Sequence, residues 1–309
     1  MLDLVPWFIG GEAEHSPAVA RMVAHAATQG SNGVIGFADL KVTALDIPGT
    51  EVMVFPGGAV IDNKYPGGVQ QSYMARNISV TNVPVPATTS QSGATKYVIL
   101  RIDDPEFGGQ LPADQVNGPY VRFDVVNSIT NLQYPHVALA RIVMPASTGT
   151  ITNAMITDLR VMANPRSRRE IAVGSVANDP LNHPKFQWAQ WPLFTPTVAI
   201  PSWATRVEGF ARVHQPLIMT GWTYGQFKMK VGSIESGLSG YDFNQYGGTT
   251  NGLRAGTLSV VISAPIPEAM RGTVQPLQIH AYRSAETGYL RADASTQIEF
   301  DLSFDERPV

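Results

Sequence analysis

The sequence predicts a mainly β protein: an N-terminal antiparallel β domain with one helix, followed by a C-terminal β-sandwich or jelly roll. Three observations carry this. Short apolar or alternating runs are separated by Pro-Gly turns, with 28 Gly and 23 Pro in 309 residues. Helical periodicity is convincing in only one stretch. Charged residues make up 15% of the chain, well under the ~25% of an average globular domain, as strands and turns require fewer of them than amphipathic helices do. A chain of this length holds about two domains, each able to bury its own core.

The elements follow in order. Ser16-Pro17 opens the helix, with Ser16 at the cap and Pro17 at the first helical position. Val19, Met22, Val23, Ala26 and Ala27 form its apolar stripe, and Gly30 marks its end. This stripe packs either on its own domain or on a neighbouring subunit. Strands are expected at 40–46, 51–55, 59–62, 71–80, 97–103, 120–127 and 136–144. Pro48-Gly49, Pro56-Gly57-Gly58 and Pro66-Gly67-Gly68 turn the chain between them, since Pro presets φ and Gly supplies positive φ. The segment 83–95 is a polar loop that cannot pair centrally. His136–Met144 is apolar on both faces apart from His136 and Arg141, as a strand buried on two sides should be. Thr152 or Asn153 caps a short helical segment carrying Met155, Ile156 and Leu159, and Asn164-Pro165 stops the pattern. The expected domains are 1–165 and 185–309. Between them 166–184, rich in arginine and poor in apolar periodicity, reads as a linker.

In the second domain strands are expected at 203–213, 217–222, 226–231, 257–262, 277–282 and 296–304, the alternation being clearest in 297–304. About seven short strands in some 120 residues suit a sandwich or jelly roll. Trp188, Trp191, Trp203 and Trp222 all fall here. Burying one removes ~150–250 Å² from water, so the core is their first assignment.

The phrases HVALARIVMP and TITNAMITDLRVMANPR, with LKVTALDIPGTEVMVFPGGAVIDN upstream, resemble the N-terminal region of minor tail proteins from the tail tip or baseplate of siphophages of actinobacteria. The resemblance covers roughly residues 1–170. It implies a structural protein of the virion, assembled in the host cytoplasm and placed at the tail tip among other phage tail proteins. It also implies a homo-oligomer, most often a trimer, with the N-terminal domain as the anchor and the C-terminal domain facing the host envelope.

Composition excludes several other classes. Cysteine is absent, which removes disulfides, thiolate metal sites and cysteine nucleophiles together. The formal net charge is −3 with no long basic run, so nucleic acid is not an expected partner. The opening MLDLVPWFIGGE has no basic region and no sustained apolar run, and neither a signal peptide nor membrane insertion is expected. The chain lacks a phosphate-binding loop, a dinucleotide fingerprint and a nucleophile elbow, and its six histidines are scattered. No catalytic residue, cofactor or metal is therefore assigned, and an enzyme is not expected. Asp103-Asp104-Pro105-Glu106 offers enough oxygens for calcium, but a solvated acidic turn is the preferred reading.

The Gly-rich stretch 236–256 interleaves Tyr241, Phe243 and Tyr246 with Asp242, Asn244, Gln245 and Asn251. Rigid rings beside adaptable polar groups suit a binding loop, because sugars offer flat C–H faces to rings and hydroxyls to amides. Tyr241, Asn244 and Tyr246 are the expected contacts for a host cell-surface glycan. Two function classes result: a tail-tip structural protein contributing to host attachment, or a carbohydrate-active hydrolase or free lectin-like module outside any virion.

Overall fold

The computed structural model describes residues 16–243, 252–285 and 287–309. The chain divides into one unit of residues 1–165 with Pro308–Val309 and a second of residues 166–307. The first contains α1 (Pro17–Thr28), β1 (Gly33–Val34), β2 (Val42–Ala44), β3 (Glu51–Val54), β4 (Gly57–Asp62), β5 (Ser72–Asn77), β6 (Thr81–Pro84), β7 (Ala94–Ile102), β8 (Val121–Val126), β9 (His136–Met144) and β10 (Ile156–Asp158). They form three antiparallel sheets, ordered β1-β4-β5, β2-β3-β6 and β10-β9-β7-β8. β9 lies between β7 and β10; Val137, Leu139, Ala140, Ile142 and Met144 are buried, whereas Arg141 and Val143 are exposed, so towards its end the strand is covered on one face and not on the two expected.

One local expectation fails for a physical reason. Asn153–Met155 is a single 3-10 turn and Ile156–Asp158 is a strand on β9, not a helix. The Asn153 carboxamide does not cap; its Oδ1 accepts from the Ala44 N–H at 2.8 Å, tying this turn to β2. The helix is bounded as its caps indicate, ending at Gln29 in the left-handed region. Of the two placements open to its apolar stripe, packing on its own domain is not the one found for Met22 and Val23. Arg21 donates from Nε to Gln71 and from Nη2 to Glu106 at 2.6 Å, while His25 Nδ1 lies 3.2 Å from the Ser72 hydroxyl. These polar groups hold α1 on β5 and leave Met22, Val23, Ala26 and Ala27 exposed. Arg160, with a fully buried side chain, forks onto Asp158 and donates to the carbonyls of Phe37, Asp39 and Val309.

The second unit contains β11 (Ser167–Gly174), β12 (Asn178–Pro180), β13 (Ala189–Gln190), β14 (Thr197–Ala199), β15 (Arg206–His214), β16 (Leu217–Met219), β17 (Thr223–Val231), β18 (Ile234–Glu235), β19 (Ser239–Phe243), β20 (Leu253–Arg254), β21 (Leu258–Pro265), β22 (Val274–Arg283), β23 (Tyr289–Asp293) and β24 (Gln297–Asp305). One sheet runs β11-β24-β15-β21. A second places β22 beside β17, with β13 and β14 on the outer side of β22 and β18 and β19 on β17; a third, smaller sheet is β12-β23-β16-β20. Inward residues of the first two sheets, among them Val207, Ala211, Phe300 and Phe304 opposed to Phe227, Met229, Leu277 and Ile279, belong to one core cluster. That is sandwich packing of facing sheets.

The stretch 166–184 is no linker. Ser167–Gly174 pairs along its whole length with β24, and Asn178–Pro180 pairs with β23. Arg166 is bonded to Glu306, Arg168 to Glu170 and Arg169 to Asp301. It is an edge strand that opens on exposed Ser167, Arg168 and Arg169, so the apolar signal by which strands are recognised is confined to Ile171–Val173.

Candidate functional site

The outer face of the sheet around β17 carries a cluster of aromatic, amide and charged side chains. Along β17 the alternation is complete: Thr223, Gly225, Phe227, Met229 and Val231 are buried, while Tyr224, Gln226, Lys228 and Lys230 face outward. On β22, Leu277, Ile279 and Ala281 point in, and Gln278, His280 and Tyr282 point out. The register sets Gln226 opposite Tyr282, Lys228 opposite His280 and Lys230 opposite Gln278. On the other side Tyr224 lies opposite Asp242 and Gln226 opposite Gly240. Strand pairing alone therefore assembles aromatic, amide and charged groups on one surface.

Two aromatic stations stand on this face. Trp188, two residues before the β13 residue Gln190, meets Tyr282 edge-on with ring centroids 4.6 Å apart. Phe186, 64% exposed, approaches Tyr282 at 6.0 Å. Trp222, immediately before β17 and 51% exposed, lies 4.7 Å from Tyr224, and its indole N–H donates to Asp242 Oδ1. Between the stations is Gln226. Gly240 beside it carries no side chain, and a Cβ there would meet nothing nearer than 3.8 Å.

The charges on this face are mostly paired. Glu235 takes Lys228 Nζ at 2.6 Å and Lys230 Nζ at 3.2 Å, and these two ammonium groups hold its carboxyl below the usual range. The Lys228 ammonium also sits 4.8 Å from the centre of the Trp188 ring, which steadies that ring by cation–π attraction. Burial, reinforced by the two lysines, pushes His280 below the ordinary imidazole value. It is neutral at pH 7 and serves as hydrogen-bond donor or acceptor. Gln278 donates to Gln190 at 2.9 Å. Rings with C–H-binding faces beside amides and a neutral imidazole suit hydroxyl-rich, flat-faced ligands.

The sequence-expected contacts fare differently. Tyr241 is a core residue: Ser239–Phe243 is a strand, and its alternation turns Tyr241 inward to 6% exposure. The ring lies 6.5 Å from Phe227 and 6.2 Å from Phe243, and the hydroxyl donates to the Tyr282 carbonyl at 3.2 Å. Burial raises its pKa. Gly225, opposite on β17, has no room for a side chain, since a Cβ would fall 2.7 Å from the Tyr241 hydroxyl and 2.0 Å from the Tyr282 carbonyl. The tyrosine thus covers the gap a strand glycine leaves. Asn244 and Tyr246 lie outside the described residues. Of the tryptophans assigned to the core, Trp191 is buried and donates its indole N–H to the Asp179 carbonyl at 2.9 Å, whereas Trp222 is exposed and Trp188 and Trp203 are half-buried. The alternation of 223–231 is the sequence signal that locates Tyr224, Gln226 and Lys228 on one outer face.

In the first unit, the acidic turn is saturated by cations and donors. Asp103 accepts two bonds from Arg101 and lies 3.3 Å from Arg122. Asp104 accepts from the Tyr73 hydroxyl at 2.8 Å and caps the 3-10 turn at Pro105–Phe107 through the Glu106 N–H. Glu106 takes Arg21. Oxygens spent this way are not arranged around a cation, and among the described residues no group of three metal-ligating side chains is placed to hold one.

No family model and no curated protein matches the chain. Solved structures that align with it include infectious bursal disease virus of the Gx strain, at 10% identity over 90% of this chain and 76% of that one, with a TM-score of 0.25. The VP2 subviral particle of the same virus aligns at 11% identity over 91% and 73%, again with a TM-score of 0.25. The mosquito-larvicidal Cry4Aa toxin of Bacillus thuringiensis aligns at 11% identity over 87% and 53%, with a TM-score of 0.23. Superpositions at this level establish no common fold, so function is argued from the chain's own residues.

Proposed function

We propose that the chain is a structural protein of a bacteriophage tail tip whose second unit contributes to host attachment by binding a cell-surface glycan, without a catalytic step. The observation that carries the attachment reading is the outer face of β17 and β22, where Trp188, Tyr282, Trp222 and Tyr224 stand around Gln226. The resemblance of residues 1–170 to minor tail proteins supports the virion setting. The outward apolar stripe of α1 supports assembly with further copies, a trimer in the first instance, since a monomer gains nothing by turning Met22 and Val23 to water.

The test is adsorption of the purified full chain to actinobacterial cells. Trp188→Ala combined with Trp222→Ala should abolish adsorption while leaving particle mass unchanged, because partly exposed residues contribute little to the fold. Normal adsorption by that variant sinks the attachment reading. In light scattering the parent should show about three times its 33.4 kDa chain mass; a single-chain mass at micromolar concentration counts against the tail-tip assembly and leaves a free lectin-like module.

A further inference from the structure

Resting on the attachment reading, we infer that the outer face of the second unit takes an internal run of a linear polysaccharide, several sugar residues at a time, rather than a chain end. The site is built on three adjacent strands, β19, β17 and β22, and its groups rise from the surface of a sheet instead of enclosing one sugar. Its two aromatic stations are separate. Tyr282 is paired opposite Gln226, and Tyr224 stands two residues further along β17, so the stations are diagonal neighbours with Cα atoms roughly 7–8 Å apart. Each station has a second ring beside the first, Trp188 at Tyr282 and Trp222 at Tyr224.

One sugar ring covers one station. Both are covered only by a chain that passes over Gln226, which lies opposite Tyr282 and two residues from Tyr224 and offers its amide for hydrogen bonds. Among the described residues, nothing on this face singles out the charged or reducing end of a chain. The two lysines are bound to Glu235, the Asp242 carboxylate holds the Trp222 indole, and Arg283 donates to the carbonyls of His183 and Ala285. Recognition then lies in ring faces and hydroxyls, which recur in every residue of a polymer.

The consequence is an affinity that climbs with chain length until both stations are filled and then levels off. Calorimetric titration of the full chain with glucan, mannan and galactan oligomers of one, two, four and six residues reads this directly. In at least one series the tetrasaccharide should bind ten times or more tighter than the disaccharide, a difference of about 1.4 kcal/mol, and the hexasaccharide should add no more than a few-fold. The long polymer of that series, which has almost no ends, should compete as well per unit mass as the tetrasaccharide. Trp188→Ala and Trp222→Ala, each checked for an unchanged unfolding transition, should each bring the tetrasaccharide down to the disaccharide's affinity.

If oligomers bind but the monosaccharide binds as tightly as the tetrasaccharide, or the polymer fails to compete, the inference is overturned while attachment stands. It is overturned in the same way if no series binds yet adsorption to cells still depends on Trp188. If adsorption is indifferent to Trp188 and Trp222 and no series binds, the attachment reading falls with it.

Discussion

Tyr241 separates a core from a binding-loop account of the second unit, and truncating it should unfold rather than disarm the protein. At 6% exposure the side chain removes most of its surface from water, ~150–250 Å² for an aromatic, or about 4–6 kcal/mol gross at ~25 cal/mol/Å². The hydroxyl bond to the Tyr282 carbonyl adds about 1 kcal/mol. Relaxation around the gap returns part of this, so Tyr241→Ala should cost about 3–5 kcal/mol, as for other aromatics cut to alanine in cores. In a unit spanning residues 166–307 that lowers the melting temperature by roughly 10–15 °C. Tyr241→Phe keeps the ring over Gly225 and should cost only about 1 kcal/mol. Thermal unfolding followed by tryptophan fluorescence is the assay, since four of the five tryptophans belong to this unit. A Tyr241→Ala protein melting within about 2 °C of the parent while losing adsorption would refute the core assignment.

Arg160→Met should destabilise the first unit by about 1–3 kcal/mol, because it removes the donor from the backbone oxygens of Phe37, Asp39 and Val309, while Asp158, 42% exposed, can turn to water; calorimetry of the full chain reads the shift. Limited trypsin digestion should cut at Lys185, in the exposed run 182–187, before Arg166, Arg168 or Arg169, whose backbone enters or lies in β11 and whose side chains are bonded to acids; early cuts at the three arginines would restore the linker. Met22→Glu with Val23→Glu should leave the first unit folded, both side chains being exposed, but reduce the particle to single-chain mass if α1 is the assembly contact. His136 and His280 are both held by burial below the ordinary imidazole value of 6.5. The unfolded chain therefore takes protons first on acidification, and stability should fall as pH drops below about 6.5; His136→Gln should flatten that dependence for the first unit's transition.

What the sequence made legible follows from where each signal resides. His136–Met144 could be bounded to the residue because its apolar run ends at Pro145, although the exposed Arg141 and Val143 leave one face open towards the end of the strand. The core strands of the second unit were readable through alternation, though β17 and β22 each begin three residues before the clearest part of their patterns. Edge and short strands left little trace. β11 exposes three successive charged or hydroxyl side chains at its start, and β12 and β13 are too brief to show a period. For α1 the period was right, but the choice between its own domain and a neighbouring subunit could not be made from it. Arg21 and His25 find their partners on and beside β5 and fix the opposite face inward.

The binding face shows the same limit in a different form. Composition drew attention to the Gly-rich stretch, yet among the described residues the rings that stand on the outer face are those of Phe186, Trp188, Trp222, Tyr224 and Tyr282, spread far apart along the chain. Alternation in β17 states that Tyr224, Gln226 and Lys228 share a face, and alternation in β19 states that Tyr241 and Asp242 point opposite ways. Neither states which face is covered. That is decided by the pairing of β17 with β22, whose inward Leu277, Ile279 and Ala281 join Phe227 and Met229 in one core and so turn Tyr282 and Tyr224 to the outside together. A site assembled across strands is specified by register, and register is a property of the paired chain that no single window of residues displays.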